Sequence, residues 1–156
     1  MNRIIFIMIL FPLFISAQKI DRKVYYDYSE NVEFRIYQLK KQRMIDRGSA
    51  NYSNTIIAKK GRRFISMILE FKNKSSETQI IDFEKIFIEN NNSEVHGIDF
   101  VVMAMKLTGR GDKMQQKLKP NKKRKIAIEF RPSFDKNEII DTLIINGKVV
   151  KLEYKE

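Results

Sequence analysis

Apolar and polar residues alternate with a period of two along most of the chain, which is typical of β-strands that bury one face. The stretch FISMILEF at 64–71 carries apolar residues on both faces, so it predicts a central strand. Residues 98–107 are largely apolar, and their β-branched and aromatic content favours a strand over a helix. The remaining predicted strands are 32–36, 55–58, 80–88 in two short segments, 126–130, and 143–152 as a hairpin.

The connections between these segments are rich in residues that favour turns. Asn146-Gly147 separates two apolar runs, and this dipeptide is a strong hairpin signal because both residues tolerate positive φ. Helical periodicity is present only weakly, at 33–44, and the polar stretch at 40–62 predicts a large mobile loop. Short strands at roughly even spacing predict an all-β fold, an antiparallel β-sandwich of about seven to nine strands.

Three segments carry a family resemblance: KKGRRFISMILEFKNKSSE, IDFEKIFIEN and LKPNKKRKIAIEF. A basic turn leads into a long strand ending in Lys-Asn, a strand containing Phe follows, and a Leu-x-Pro turn enters a strand ending in Phe. This order resembles small immunoglobulin-like domains of bacterial secreted proteins and lipoproteins, most of which have no assigned activity. The resemblance covers about residues 60–131 and implies an immunoglobulin-like sandwich but no functional residue. The matching positions are Phe64, Ile65, Leu69, Lys72, Asn73, Phe83, Ile88, Leu118, Pro120, Ile126 and Phe130.

The first 17 residues predict a cleaved signal peptide. Arg3 precedes an apolar run at 4–15, and Ser16 and Ala17 then supply small residues for cleavage before Gln18. The run is shorter than the ~20 apolar residues that a membrane-spanning helix needs. We therefore expect export to the periplasm or the extracellular space.

The chain contains no cysteine, which excludes disulfides, thiol catalysis, cysteine-ligated zinc and a lipid-modified N-terminal cysteine. The exported chain must therefore fold around its apolar core alone. A domain of this length buries about 68% of the surface of its unfolded chain, which is enough for one such core. We predict a single immunoglobulin-like domain at 18–156, and no cofactor is indicated.

Catalytic motifs are scarce in this sequence. His96 is the only histidine, which excludes a multi-histidine metal site, and no G-x-S-x-G motif accompanies it. Asp82 and Glu84 are predicted on one strand face, and paired carboxylates can support glycosidase chemistry, but such pairs are common on exposed strands. Residues 90–94 offer oxygen ligands for calcium without the usual D-x-D spacing. We predict a protein that is not an enzyme, and the alternative is an enzyme of unrecognised type that uses loop carboxylates.

Basic residues outnumber acidic residues and give a net charge of +11. Two basic clusters each precede a predicted strand. Lysines at strand edges discourage aggregation, so solvated turns would explain both clusters without any function. The alternative is a site for an anionic partner, and both clusters would form one positive surface if their turns lay at one end of the sandwich. The candidate contacts are Lys59, Lys60, Arg62, Arg63, Lys122, Lys123, Arg124 and Lys125.

Taken together, these patterns predict an exported binding or accessory domain of the cell envelope without catalytic activity. Its partner is expected to be a protein, an anionic glycan or an anionic lipid. Nucleic-acid binding is a further alternative that rests on charge alone. Surfaces that bind nucleic acids usually combine basic residues with stacking aromatics, and the two basic clusters contain neither Tyr nor Trp.

Overall fold

The computed structural model describes residues 19–46, 54–103 and 114–155. The predicted signal peptide and the end of the predicted strand at 98–107 lie outside the described residues. None of the described residues belongs to a helix that could cross a membrane. In these ranges the secondary structure consists of β1 (Tyr26–Ser29), β2 (Val32–Gln42), β3 (Met44–Asp46), β4 (Thr55–Ile57), β5 (Arg62–Asn73), β6 (Gln79–Asp82), a 3-10 helix (Phe83–Lys85), β7 (Ile86–Glu89), β8 (Val95–Met103), β9 (Gln115–Leu118), β10 (Lys123–Asp135), β11 (Thr142–Ile145) and β12 (Lys148–Lys151).

Eight strands are hydrogen-bonded in the order β1-β2-β5-β10-β8-β7-β11-β12, and all neighbours are antiparallel. β8 takes part in both layers of a sandwich, because residues 98–103 pair with β10 whereas residues 95–97 pair with β7. The first layer is therefore β1-β2-β5-β10-β8, and the second is β8-β7-β11-β12. This arrangement confirms the predicted antiparallel β-sandwich, with eight strands in its layers.

One apolar core fills the space between the two layers. β5 is central, as predicted, since it pairs with β2 on one side and with β10 on the other. The second layer contributes Ile88, Leu143 and Ile145, which are all buried. Phe71 packs edge-on against Phe83 with ring centroids 5.8 Å apart, a favourable geometry for two aromatic rings. Because the chain has no disulfide, burial of this apolar surface is the main term that stabilises the fold.

The structure of β2 explains the trace of helical periodicity at 33–44. Alternation is regular from Val32 to Ile36, and both of these residues are buried. A β-bulge between Ile36 and Gln38 then shifts the register against β5, so that the core-facing position moves to Leu39. The shift changes the spacing of the apolar residues, so their pattern resembles a helical period of 3.6 residues although the segment is a single strand.

The polar stretch at 40–62 is not one loop in its described part. β3 and β4 form a two-stranded antiparallel ribbon, which confirms the short strand predicted at 55–58. Ile45 on this ribbon packs with Ala58 and Phe64 into a small second cluster of buried residues. The prediction of a single large loop is wrong here because these apolar residues give the ribbon its own packing surface.

Residues 80–88 divide into two strands, but a 3-10 turn links them. This turn begins at Asp82, whose Oδ1 accepts a hydrogen bond from the Glu84 N–H at 3.1 Å. The prediction that Asp82 and Glu84 share a strand face is wrong. The Asp82 side chain bonds to the nearby backbone, and this local bond favours a turn over a continued strand.

Two turns have the backbone that their sequences predict. Asn146 and Gly147 have φ angles of 50° and 76°, as a two-residue hairpin of the I′ type requires between β11 and β12. Asn121 has a φ of 53°, in the left-handed region that Asn and Gly accept most readily. The Asn146 Nδ2 also donates to the Tyr28 carbonyl at 2.8 Å, which ties the hairpin of the second layer to β1 in the first.

Candidate functional site

The two basic clusters predicted from the sequence lie at opposite ends of one strand pair. β5 and β10 are antiparallel, with Lys123 opposite Lys72 at one end and Asp135 opposite Arg62 at the other. One basic cluster begins β10, whereas the other begins β5. The single positive surface that both clusters would form at a shared end is therefore not present.

At the start of β5, two of the four basic residues are bonded within the fold. Arg62 donates from Nε to the Ser133 carbonyl at 2.8 Å. Arg63 donates from Nη1 to the Arg62 carbonyl, also at 2.8 Å. Lys59 and Lys60 are exposed, and their side chains form no ion pair or hydrogen bond with the described residues.

Lys125 lies within β10 on the outer face of the first layer, where its side chain contacts other residues although it is partly exposed. Its Nζ lies 3.4 Å from the centroid of the Tyr37 ring and 3.9 Å from a Glu70 carboxylate oxygen. Glu70 also accepts a hydrogen bond from the Arg35 Nε at 2.8 Å. Because Glu70 is buried, these two cations compensate a carboxylate that would otherwise be costly to desolvate. The prediction that Lys125 is a solvated turn residue is therefore wrong.

Aromatic residues that are distant in sequence lie beside Lys125 in the fold. Lys125 contacts the Tyr37 ring, and the Arg22 Cζ lies 5.2 Å from the same ring centroid. The Arg35 Cζ lies 5.3 Å from the centroid of the Tyr25 ring. These rings are engaged by the protein's own cations, so they are not free platforms for stacking of bases. Sequence reasoning missed the two tyrosines because only strand register brings them to the basic cluster.

Four lysines at one end of the sandwich form a surface that we call the basic tip, defined as Lys117, Lys119, Lys122 and Lys123. All four are exposed, and none forms an ion pair with the described residues. They lie at the end of β9, in the turn after it and at the start of β10. Arg124 fixes this link by donating from Nη1 to the Lys117 carbonyl at 3.2 Å. The basic tip therefore presents an uncompensated positive field to solvent.

Asn73 determines the shape of the basic tip. Its side chain is buried, and its Nδ2 donates to the carbonyls of Glu77 and Leu118 at 2.7 and 3.1 Å. The same Nδ2 lies 3.2 Å from the Lys119 carbonyl, and the Asn73 N–H donates to the Lys122 carbonyl at 3.0 Å. One buried amide thus joins β5 to both sides of the turn. The sequence indicated only a strand end at this position.

The turn itself has the chemistry that Pro120-Asn121 predicts. The Lys122 N–H donates to the Lys119 carbonyl at 3.3 Å, which closes a four-residue turn. Proline occupies its second position and Asn121, with positive φ, its third, as in a type II turn. The Asn121 N–H also donates to the Ser75 carbonyl at 3.1 Å, so the turn is anchored on the neighbouring loop.

Glu33 pairs with the two lysines that border the basic tip. The Lys72 Nζ donates to Glu33 Oε1 at 2.7 Å, and the Lys74 Nζ lies 3.6 Å from Oε2. The hydrogen bond from Lys72 lowers the pKa of the Glu33 carboxyl, and the same bond raises the pKa of the Lys72 ammonium. Both groups are therefore charged at neutral pH. Because Lys72 and Lys74 share this carboxylate, they are less available to an external anion than the lysines of the basic tip.

The single histidine packs against the core. The centroid of the His96 ring is 4.4 Å from that of Phe134, and the His96 side chain is 11% exposed. Its Nε2 lies 3.8 Å from the Glu94 carboxylate. Within the described residues, no group of three or more His, Cys, Asp or Glu side chains is arranged to hold a metal ion.

The loop between β7 and β8 uses its oxygens for its own hydrogen bonds. The Asn90 Oδ1 accepts bonds from the Asn92 and Glu94 N–H groups at 3.0 and 2.8 Å. The Asn90 Nδ2 donates to the Glu94 carboxylate at 2.7 Å, and Ser93 adopts a φ of 60°. This is the geometry of a self-bonded turn rather than of oxygens directed at a cation.

The architecture and the surface define an antiparallel β-sandwich protein with one strongly basic end. The crystal structure of an uncharacterized β-sandwich protein from Clostridium difficile 630 is similar, with a TM-score of 0.57 and 10% identity over 89% of this chain and 94% of that one. A conserved hypothetical protein from Bacillus anthracis is also similar, with a TM-score of 0.57 and 12% identity over 88% of this chain and 94% of that one. No family model and no curated protein matches the chain. At such identities the likeness concerns the fold alone.

Proposed function

We propose that the protein is an exported, envelope-associated binding domain of the immunoglobulin-like type, without catalytic activity, that recognises an anionic partner through the basic tip. The partner is an acidic component of the envelope: a glycan, a lipid or a protein. The N-terminal charged and apolar residues, followed by Ser16 and Ala17, support export of the chain.

One observation carries this proposal: the four lysines of the basic tip are exposed and have no carboxylate partner in the described structure. The basic tip gathers four such lysines, whereas the opposite end of the β5–β10 pair has two, Lys59 and Lys60. Other basic residues of the predicted clusters are bonded within the fold, as Arg62 and Lys125 illustrate. Like charges that are held together without compensation raise the local potential and attract anions. Because the attraction is between exposed charges, added salt must weaken it over a screening length of about 8 Å at 0.15 M ionic strength.

Two double variants that remove equal charge test where the anion binds. Lys122→Gln/Lys123→Gln changes the basic tip, and Lys59→Gln/Lys60→Gln changes the opposite end of the β5–β10 pair. Their binding is compared with that of the unmodified protein on phosphatidylglycerol vesicles, on a polyuronate glycan and on an acidic protein, at low and at high salt. Vesicles of neutral phosphatidylcholine serve as the control surface.

We expect salt-sensitive binding to at least one anionic target, lost in Lys122→Gln/Lys123→Gln and retained in Lys59→Gln/Lys60→Gln. The three targets distinguish a lipid from a glycan and from a protein partner. Binding to no anionic target at low salt would contradict the proposal and would favour solvated turns. Equal loss in both variants would indicate attraction to net charge alone and would also contradict it.

A further inference from the structure

A cleft with a volume of about 470 Å³ lies between β2 and the paired chain ends. β1 pairs with β2 only through residues 32–34, so Gln38 and Leu39 further along β2 border the cleft. The chain ends form its other wall, where Ile20 and Tyr154 make an antiparallel β-bridge. This volume falls within the range of about 300–1,000 Å³ that is usual for small-molecule sites.

The cleft combines an apolar wall with cationic groups. Ile20, Leu39 and Tyr154 supply the apolar surface, and all three belong to the main core or pack against it. No acidic residue is among those that line the cleft. The other lining residues are Lys19, Arg22, Gln38 and Lys155.

The three cations of the cleft, Lys19, Arg22 and Lys155, have no ion-pair partner among the described residues. Asp21 and Glu153 flank the chain-end wall in sequence but are not among the residues that line the cleft, and the Asp21 Oδ1 accepts a hydrogen bond from the Lys23 N–H at 2.9 Å. Convergence of three positive charges is unfavourable without an anion, so the cleft is electrostatically suited to an anionic ligand.

Hydrogen bonds between the chain ends hold these residues together. The Lys155 N–H donates to the Lys19 carbonyl at 2.7 Å, on one side of the β-bridge. The Asp21 N–H donates to the Glu153 carbonyl at 2.9 Å, on the other side. Two segments from opposite ends of the described chain are thereby fixed next to each other.

Further contacts fix Arg22 and Tyr154. The Arg22 guanidinium lies over the Tyr37 ring, and the Arg22 carbonyl accepts a hydrogen bond from the Arg35 Nη1 at 3.3 Å. The Tyr154 hydroxyl donates to the Ile140 carbonyl. Because Arg22 and Tyr154 are held in place by the protein, a ligand that contacts them loses little affinity to their ordering.

We propose that this cleft binds a small amphipathic anion, namely a carboxylate or a phosphate monoester joined to an apolar chain. The apolar chain contacts Ile20 and Leu39, and the anionic head pairs with Arg22 and Lys155. The planar guanidinium of Arg22 suits this role because it matches carboxylate and phosphate oxygens with two parallel donors. The cleft is separate from the basic tip, so this inference does not depend on the function proposed above.

Isothermal titration calorimetry on the protein expressed from the full-length sequence tests the inference with three probes of equal chain length: decanoate, decyl phosphate and decanol. We expect an anionic probe to bind at one site per chain, and decanol to bind about tenfold more weakly because it lacks the charge-assisted bonds. Arg22→Gln/Lys155→Gln should weaken binding of the anionic probe by a similar factor. Lys122→Gln/Lys123→Gln removes the same charge from the basic tip and should leave its binding unchanged.

A second readout requires no variant: the preferred anion should raise the melting temperature of the unmodified protein, since a ligand that binds only the folded state stabilises it. A preference for decanoate assigns the cleft to carboxylates, and a preference for decyl phosphate assigns it to phosphate esters. The inference is overturned if neither anion binds or shifts the melting temperature. It is also overturned if decanol binds as tightly as the anions, or if both double variants reduce the affinity for the anion equally.

Discussion

Asn73 is the single residue on which the geometry of the basic tip depends most directly. We predict that Asn73→Asp lowers the free energy of unfolding by about 3 kcal/mol, because it replaces a buried donor with an oxygen that faces three carbonyls. Urea denaturation measures this change. Asn91→Asp is the control, since Asn91 is exposed and should change the stability by less than about 0.5 kcal/mol. Equal stability of both variants would show that the amide of Asn73 does not hold the turn.

One buried and two half-buried tyrosines predict a loss of stability at alkaline pH. Burial raises the pKa of Tyr154 to about 12, and it also raises the pKa values of Tyr26 and Tyr28 above their usual value. The folded-state pKa values of these tyrosines exceed the unfolded value of about 10. Their contribution to the free energy of unfolding is therefore fully present below pH 10 and is lost as the pH rises towards 12.

Measurement of unfolding free energy against pH should therefore show a decline that begins near pH 10. Tyr154→Phe should be less stable than the unmodified protein at neutral pH, because the bond to the Ile140 carbonyl is lost, but its decline should be shallower. A decline of identical steepness in both proteins would contradict the assignment of this titration to Tyr154.

At the scale of elements, the turn between β11 and β12 requires positive φ angles at both of its central residues. Gly147 has a φ of 76°, and a Cβ added there would meet nothing within 4 Å. Gly147→Ala should therefore cost about 1–2 kcal/mol through backbone strain, without any clash. In Gly97→Ala the new Cβ would lie 3.6 Å from the Phe87 ring, an ordinary contact, so this control should be nearly neutral. Thermal unfolding of both variants checks the contrast, and equal melting temperatures would contradict it.

The elements that the sequence predicts well are those whose signal is local. β5, the inward residues of β10 and the Asn146-Gly147 hairpin follow from period-two alternation and turn chemistry within a few residues. Two features depend on distant partners and could not be predicted in this way: the bulge after Ile36 and the sharing of β8 between layers. The 3-10 turn at Phe83–Lys85 has a local cause in the Asp82 side chain, but the apolar residues on either side of it conceal that signal. Each of these features interrupts an apolar–polar alternation that the flanking residues continue.

At the scale of the whole molecule, the sequence predicts how much charge there is but not where it converges. The clusters around Lys59 and Lys122 look equivalent in sequence, yet the antiparallel pairing of β5 and β10 places them at opposite ends of this strand pair. Strand register also brings Tyr37 to Lys125 and leaves Lys117 and Lys119 beside Lys122. The cleft could not be predicted from the sequence either, because it combines residues within 19–39 with residues 154 and 155, more than a hundred positions away.

Export makes a prediction for the mature protein as a whole. If the first 17 residues are removed as a signal peptide, N-terminal sequencing of the exported protein should begin at Gln18, with cyclisation of the terminal glutamine as a possible blocking reaction. Intact-mass measurement covers the blocked case. Recovery of the complete N-terminus in a membrane fraction would contradict this prediction.

The central claim is that the basic tip is the surface that meets an anionic partner. Amide chemical shifts of isotope-labelled protein, followed by nuclear magnetic resonance during titration with phosphatidylglycerol bicelles and with a polyuronate glycan, test it most directly. We predict that the largest changes with at least one ligand fall on residues 117–123, and that they disappear as the salt concentration rises. Changes of similar size at Lys59 and Lys60, or no changes at low salt with either ligand, would contradict the claim.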